Sequence, residues 1–382
     1  MKIISVVGAR PNFMKIAPFV KAIEAHNAAN GHSIEHVLVH TGQHYDVRMS
    51  EGFFHSLGIP DPDINLEIGS GSHAEQVGQT MIAFEKVLVQ EKPDWVVVVG
   101  DVNATLACSV AAKKLCIKVC HIEAGLRSGD MTMPEEINRL VTDRLSDLLL
   151  TPDTISSENL RREGVAEDRI RFVGNIMIDT LEANRDAAAR LNIGAVLRDN
   201  MLLPESVAPV LSGDFALLTM HRPSNVDQKE VLEPILNFLT DEVAVRMPVI
   251  WPIHPRARKM LETFGLWNKA VACPHLILLC PIGYHEMLRL NMRARIMLTD
   301  SGGLQEECCV LGTPCLTLRW NTERPVTLKE HGGASVLVGN NVERIRGEFL
   351  AALAGGRVPQ RPELWDGKTA GRCVAALATF FS

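Results

Sequence analysis

Four consecutive valines, Val96–Val99, stand between Trp95 and Gly100. A short unbroken run of β-branched residues suits a strand buried on both faces, and such strands belong to parallel sheets covered by helices on each side. The neighbouring pattern agrees. Strands are predicted at 2–7, 36–41, 95–100, 118–123, 147–151 and 170–174, with helical patterns between them, for example at 73–92 and 103–115. A looser segment follows at 192–213, marked by Pro204, Pro209 and Gly213. A second series then begins, with strands predicted at 215–221, 249–254, 276–281, 295–300 and 314–318. This βαβα order predicts an α/β protein made of two similar parallel-sheet halves, with the boundary inside 174–213. No sequence repeat relates the halves, and a last helical pattern runs from 372 to 381.

Composition excludes several classes. The 382 residues suggest two or three domains, and 46% hydrophobic with 22% charged residues is ordinary for a globular protein. A net charge of −6 gives no reason to expect a nucleic-acid partner. No membrane helix is expected from any apolar run, and the first residues enter a strand without a leader pattern, which points to a cytoplasmic protein. The nine cysteines are odd in number and form no CxxC pair. Cys108, Cys116 and Cys120 sit in apolar contexts, and Cys308 and Cys309 are neighbours on a helix. Buried reduced thiols and no metal site are expected.

In open parallel sheets, ligands collect beyond the C-terminal ends of strands, where helix N-termini offer free N–H groups. That rule selects a few segments. "GARP" (8–11) joins a strand to a helix, and Arg10 and Lys15 there would favour an anion. The alternative is a plain turn with two surface cations. "TDSGGLQEE" (299–307) places Ser301, Gly302 and Gly303 where a diphosphate could reach backbone amides, and Glu307 where a carboxylate could accept ribose hydroxyls. Capping by Asp300 or Ser301 is the structural alternative. "HRPSN" (221–225) offers His221 and Arg222 to phosphate, and "HPR" (254–256) repeats the pattern more weakly. "GDVNAT" (100–105) puts Asp101 at a strand end, where Asp101 or Asn103 could cap the helix. Glu123 also ends a strand. Glu135 follows Pro134 in a first helical turn, where the dipole favours an acid. Glu136 and Arg139 have the spacing of a surface pair.

Taken in order, "GARPNFMK", "TGQHYD", "GDVNAT", "HIEAGLRS", "MPEEINR", "HRPSN", "TDSGGLQEE" and "NTERP" (321–325) span nearly the whole chain. The sequence resembles the non-hydrolysing UDP-N-acetylglucosamine 2-epimerases. The resemblance implies two Rossmann-like domains of the GT-B type, with a nucleotide sugar in the cleft between them. The division implied is 1–175 plus a returning helix at 365–382, and 176–364. It further implies a homodimer, a UDP-sugar substrate, and no requirement for NAD or metal. The reaction implied interconverts UDP-GlcNAc and UDP-ManNAc. Expelling UDP from C1 makes loss of the C2 proton feasible, and UDP adds back after protonation on the other face.

Carried over by motif, Asp101, Glu123 and Glu135 would handle protons and stabilise cationic character, with Lys15 and Arg10 near phosphate and sugar. His221 would assist the departing UDP. Arg222, Ser301, Gly302, Gly303, Glu307 and Arg324 would serve the UDP side. Ser224 stands where many members carry an acid. Gln43 and His44 match a second, allosteric site of UDP-regulated bacterial members, but Tyr45 and Asp46 depart from it. Two alternatives remain. "TGQHYD" and "MTMPEEINR" also resemble 2-epimerases of UDP-2,3-diacetamido-glucuronate, and the same fold hosts UDP-sugar glycosyltransferases. A silent nucleotide-sugar sensor is disfavoured by the intact Asp101, Glu123, Glu135 and His221.

Overall fold

The computed structural model describes residues 1–8, 10–42, 58, 61–203 and 213–380. Two compact units divide the chain, Met1–Ala183 with Pro362–Ser382, and Asn184–Arg361.

The first unit carries strands β1 (Lys2–Val7), β2 (Glu35–His40), β3 (Ile64–Asn65), β4 (Trp95–Val99), β5 (Lys118–Ile122), β6 (Leu148–Thr151) and β7 (Ile170–Phe172). They form one sheet in the order β3-β2-β1-β4-β5-β6-β7, with every pairing parallel. All five residues of β4 are buried. Val96 and Val98 join Phe84 and Leu88 of helix His73–Glu91 and Cys108 of helix Asn103–Lys114 in one core cluster. Strand side chains alternate between faces, so the equally buried Val97 and Val99 face the other side. The valine run therefore serves both cores at once.

The second unit carries β8 (Ala216–Thr219), β9 (Val249–Pro252), β10 (Leu276–Leu279), β11 (Ile296–Thr299), β12 (Cys315–Thr317) and β13 (Ser335–Leu337). Its sheet runs β10-β9-β8-β11-β12-β13, also parallel throughout. In each sheet the first strand lies between the second and the fourth. Strand order reverses there, which opens a crevice at the strand ends. The switch points are β1/β4 and β8/β11, and their loops hold "GARP", "GDVNAT", "HRPSN" and "TDSGG".

The returning tail packs on the first unit. Helix Thr369–Thr379 lies against helix Arg10–Asn30. Asp179 accepts from the amides of Thr369 (3.0 Å) and Ala370 (2.7 Å), and the Trp365 indole donates to the Pro152 carbonyl (2.9 Å).

Three sequence expectations need correction. The segment expected to be loose from 192 contains helix Ile193–Asn200, because Asn192 caps it through the Ala195 amide and Val196 and Leu197 are buried beneath it. β3 and β13 lie outside the strands expected from sequence; β3 has only two residues, too few to present a period. All nine cysteines are free thiols, but Cys116 is exposed, in a left-handed turn just past its helix.

Candidate functional site

At the first switch point, the short loop after β4 brings three side chains together. Gly100 takes φ +69°, and a Cβ built on it would lie 3.1 Å from the Lys15 ammonium and 3.7 Å from Glu123 Oε2. Only glycine leaves that space open. Lys15, from helix Arg10–Asn30, is buried and ion-paired with Glu123. Asn12 ties the same corner together, accepting from the Gly8 amide (3.2 Å) and donating to the Val99 carbonyl (2.7 Å). Lys15 is thus not the surface cation of a plain turn. Glu123 itself has φ +71°. A non-glycine residue held there stores backbone strain of about 1–3 kcal/mol. Its Oε1 is buried and has no hydrogen-bond partner.

Asp101 does not cap the helix that follows it, and neither does Asn103, which is that helix's first residue. The Asp101 carboxylate is ion-paired with Arg139, and the Asp101 carbonyl accepts from the Asn138 amide group at 2.8 Å. Asn138 and Arg139 lie on helix Pro134–Leu145 and are both buried. The pair Glu136–Arg139, expected at the surface, is buried as well, at 2.6 Å. Glu136 also accepts from the amides of Ser128 (3.0 Å) and Gly129 (2.9 Å). Burial alone would raise its pKa, but these N–H groups and Arg139 outweigh burial and hold it low. Glu135, one residue earlier, is exposed. It joins the cluster only through its helix.

Behind this corner, His121 is wholly buried. Its Nε2 lies 2.8 Å from the Gly100 carbonyl and its Nδ1 2.6 Å from Asp143. Asp143 also accepts from Arg127 (2.7 Å) and the Gly125 amide (3.0 Å). Burial would raise the Asp143 pKa, yet His121 and Arg127 pull it below its ordinary value. None of Asn138, Glu136, His121 and Asp143 was singled out as functional from sequence.

At the second switch point, Asp300 is fully buried and does not cap a helix. Its carboxylate accepts from the backbone amides of His221 (2.9 Å) and Arg222 (2.8 Å) and from the Asn225 side chain (3.1 Å). His221 Nδ1 lies 2.9 Å from the other oxygen. Burial would raise the Asp300 pKa, but His221 and these amides outweigh it and lower it. One aspartate at the end of β11 therefore orients the loop at the end of β8, including Arg222, whose Nε donates to the Asp300 carbonyl (2.9 Å). The His254 ring lies 5.4 Å from that of His221, and its pKa is lowered by burial and then by His221.

Helix Gly302–Leu311 begins after Ser301, and no side chain caps it. Its first amides stay open to an anion. A Cβ on Gly302 would lie 2.7 Å from Arg324 Nη1 and 2.8 Å from Glu323 Oε1. Arg324 is buried there, donating to Glu306 (2.7 Å) and paired with Glu323, which also binds Arg319 (2.6 Å). Arg324 thus braces the helix start from behind. Glu307 is buried beside Tyr284 and Asn291. Burial pushes its pKa up to about 7, and those two polar side chains oppose the rise.

Arg10 opens its helix, but its side chain lies outside the described part, and Gln43 and His44 lie outside the described residues. Among the described residues, no three His, Cys, Asp or Glu side chains are placed to hold a metal ion, and no helix is long and apolar enough to cross a membrane.

Residues 26–378 match a family model described as UDP-N-acetylglucosamine 2-epimerase. The chain is 44% identical over 347 residues to the UDP-N-acetylglucosamine 2-epimerase of Methanocaldococcus jannaschii, covering 90% of each. It is 40% identical over 346 residues to the UDP-2,3-diacetamido-2,3-dideoxy-D-glucuronate 2-epimerase of Pseudomonas aeruginosa, covering 89% of this chain and 88% of that one. Among solved structures, the Methanocaldococcus jannaschii UDP-GlcNAc 2-epimerase in complex with UDP-GlcNAc and UDP superimposes with a TM-score of 0.88 at 41% identity, covering 99% of both chains. The shared architecture is the GT-B type, two Rossmann-like units with parallel sheets.

Proposed function

We propose that this chain, which belongs to the UDP-N-acetylglucosamine 2-epimerase family, interconverts UDP-GlcNAc and UDP-ManNAc at C2. The observation that carries this reading is the buried Glu123–Lys15 pair against Gly100 at a switch point, with Asp101 the next residue in the chain. The C2 hydrogen is not next to a carbonyl, so it leaves as a proton only as the C1–O bond breaks. The bonding pair of that C–O bond departs with UDP, and the C2–H pair becomes the C1–C2 double bond of a glycal. Protonation of C2 on the opposite face and re-addition of UDP to C1 complete the cycle. Carboxylates serve this chemistry twice, taking and returning protons and facing positive charge that develops at C1.

In this reading Asp101, Glu123 and Glu135 are the proton-handling and charge-stabilising groups, and Lys15 and Arg10 stand near sugar and phosphate. His221, oriented by Asp300, stabilises the departing UDP. Ser301, Gly302 and Gly303 present the open helix N-terminus to the diphosphate, which is the usual use of such an end. Arg222 supports the phosphate side, Arg324 acts by bracing Gly302, and Glu307 serves the ribose. The protein works as a cytoplasmic homodimer. Similarity to the Pseudomonas enzyme supports a second reading, epimerisation of UDP-2,3-diacetamido-glucuronate.

One assay separates these. The purified protein is incubated with each UDP-sugar in deuterated water, without added metal or NAD, and the C2 proton signal is followed by NMR. Loss of that signal from UDP-GlcNAc, with appearance of UDP-ManNAc, is expected. Exchange confined to the diacetamido-uronate moves the assignment to the second reading. No exchange with either sugar sinks both, and leaves a glycosyltransferase that needs an acceptor.

A further inference from the structure

Asp101 is held by more than its place at the end of β4. Helix Pro134–Leu145 grips it twice from consecutive residues, the Asn138 amide group on its carbonyl at 2.8 Å and the Arg139 guanidinium on its carboxylate. Arg139 is buried, and it also donates to Glu136, at 3.0 Å from Nε and 2.6 Å from Nη2, and from Nη2 to Ser128 Oγ at 3.5 Å. Glu136 in turn fixes the loop backbone at Ser128 and Gly129. A guanidinium is a planar fork with five donors, so satisfying two carboxylates at once sets the direction of both. The same helix presents Glu135 in its first turn.

The geometry points to Arg139, assisted by Asn138, as the positioning residue for Asp101. It locks that carboxylate in a fixed relation to the helix bearing Glu135 and the glycine loop after Glu123. The inference rests on Asp101 acting in the proposed epimerisation. It assigns Arg139 no contact with substrate, and it makes the rate sensitive to the fork rather than to the charge alone. A lysine keeps the charge but is a compact point donor and cannot hold both partners in this geometry.

The test is a double-mutant cycle on the full chain, with Arg139→Lys, Asp101→Asn and the pair together. kcat and KM for UDP-GlcNAc, C2 hydrogen exchange, UDP affinity and thermal unfolding are measured for each. Arg139→Lys is expected to lower kcat by about 10–100-fold, up to the loss that a misplacement of about 1 Å causes, with KM and UDP affinity little changed. In the Asp101→Asn background the same change should cost no more than about twofold, because residues acting through one another are not additive. An equal loss in both backgrounds, or wild-type kcat in Arg139→Lys, overturns the inference. If Arg139→Lys melts below the assay temperature, Asn138→Ala, which removes the grip on the Asp101 carbonyl and a longer contact to Asn103 Oδ1 (3.4 Å), carries the same cycle with the same outcomes. Wild-type turnover in Asp101→Asn would instead remove Asp101 from the proposed reaction, a failure of that reading and visible as such.

Discussion

Glu307 offers a test in which the sign is as informative as the size. Its carboxyl is buried, and burial moves its pKa from 4.5 to about 7, with the neighbouring Glu306 charge adding to the shift and Tyr284 and Asn291 opposing it. Each tenfold change in a proton equilibrium is about 1.4 kcal/mol, so holding this acid in the fold costs about 3 kcal/mol once the unfolded chain has released its proton. The direction follows from linkage. Below pH 4.5 both states are protonated and nothing is lost. Between 4.5 and 7 the native state keeps a proton that the unfolded state has given up, so stability falls as pH rises, and the loss levels off above 7. Glu307→Gln keeps the size and the acceptor and removes the titration. The variant should gain on the wild type by about 2 kcal/mol between pH 5.5 and pH 8.5. Urea unfolding of both proteins at these two pH values, read as midpoint and slope, measures the gap. A gap independent of pH, or one that closes as pH rises, would refute the burial argument. If the ribose takes up this carboxylate, the same variant should also bind UDP about tenfold more weakly.

Glu123→Gln and Glu135→Gln should each reduce turnover by at least about 100-fold while UDP still binds. The two should differ in stability. Glu123→Gln leaves the buried Lys15 without its anion and should lower the unfolding temperature, whereas the exposed Glu135 should change it little. Calorimetric UDP titration beside turnover and thermal melts tests all three points, and near-wild-type turnover in a folded variant removes that residue from the mechanism. Gly302→Ala puts a methyl group against the fixed tips of Arg324 and Glu323. It should cost about 1–3 kcal/mol of stability and weaken UDP binding, and an unchanged melt and affinity would contradict the role given to the Arg324 brace.

What sequence could and could not reveal follows from how far apart in the chain the partners lie. The valine run announced a strand buried on both faces, and the first- and fourth-strand ends could then be singled out as candidate ligand positions by rule. Asp101, Glu123, His221 and the Ser301–Gly303 turn became candidates that way. β3, two residues long at a sheet edge, carried no signal to find, and β13 was missed at the other sheet's edge although the equally short β7 was legible. The errors concern partners. Adjacent residues on a helix are turned by about 100°, so Glu135 and Glu136 look alike in sequence while one faces solvent and the other is buried on Arg139. Asp300 looked like a cap because a helix follows it. Its ligands come instead from residues 78 and 79 positions away, brought near because β8 and β11 are neighbours in the sheet. Asp101 and Arg139 are 38 positions apart and meet only because the helix after β5 lies beside the end of β4. Residue type at a strand end is a local property, readable once the strand is recognised. Which charge answers it is decided by sheet order, and in this chain that order places an arginine under Asp101 and an aspartate under His221, so each candidate group is held in direction by a residue the local pattern assigns to something else.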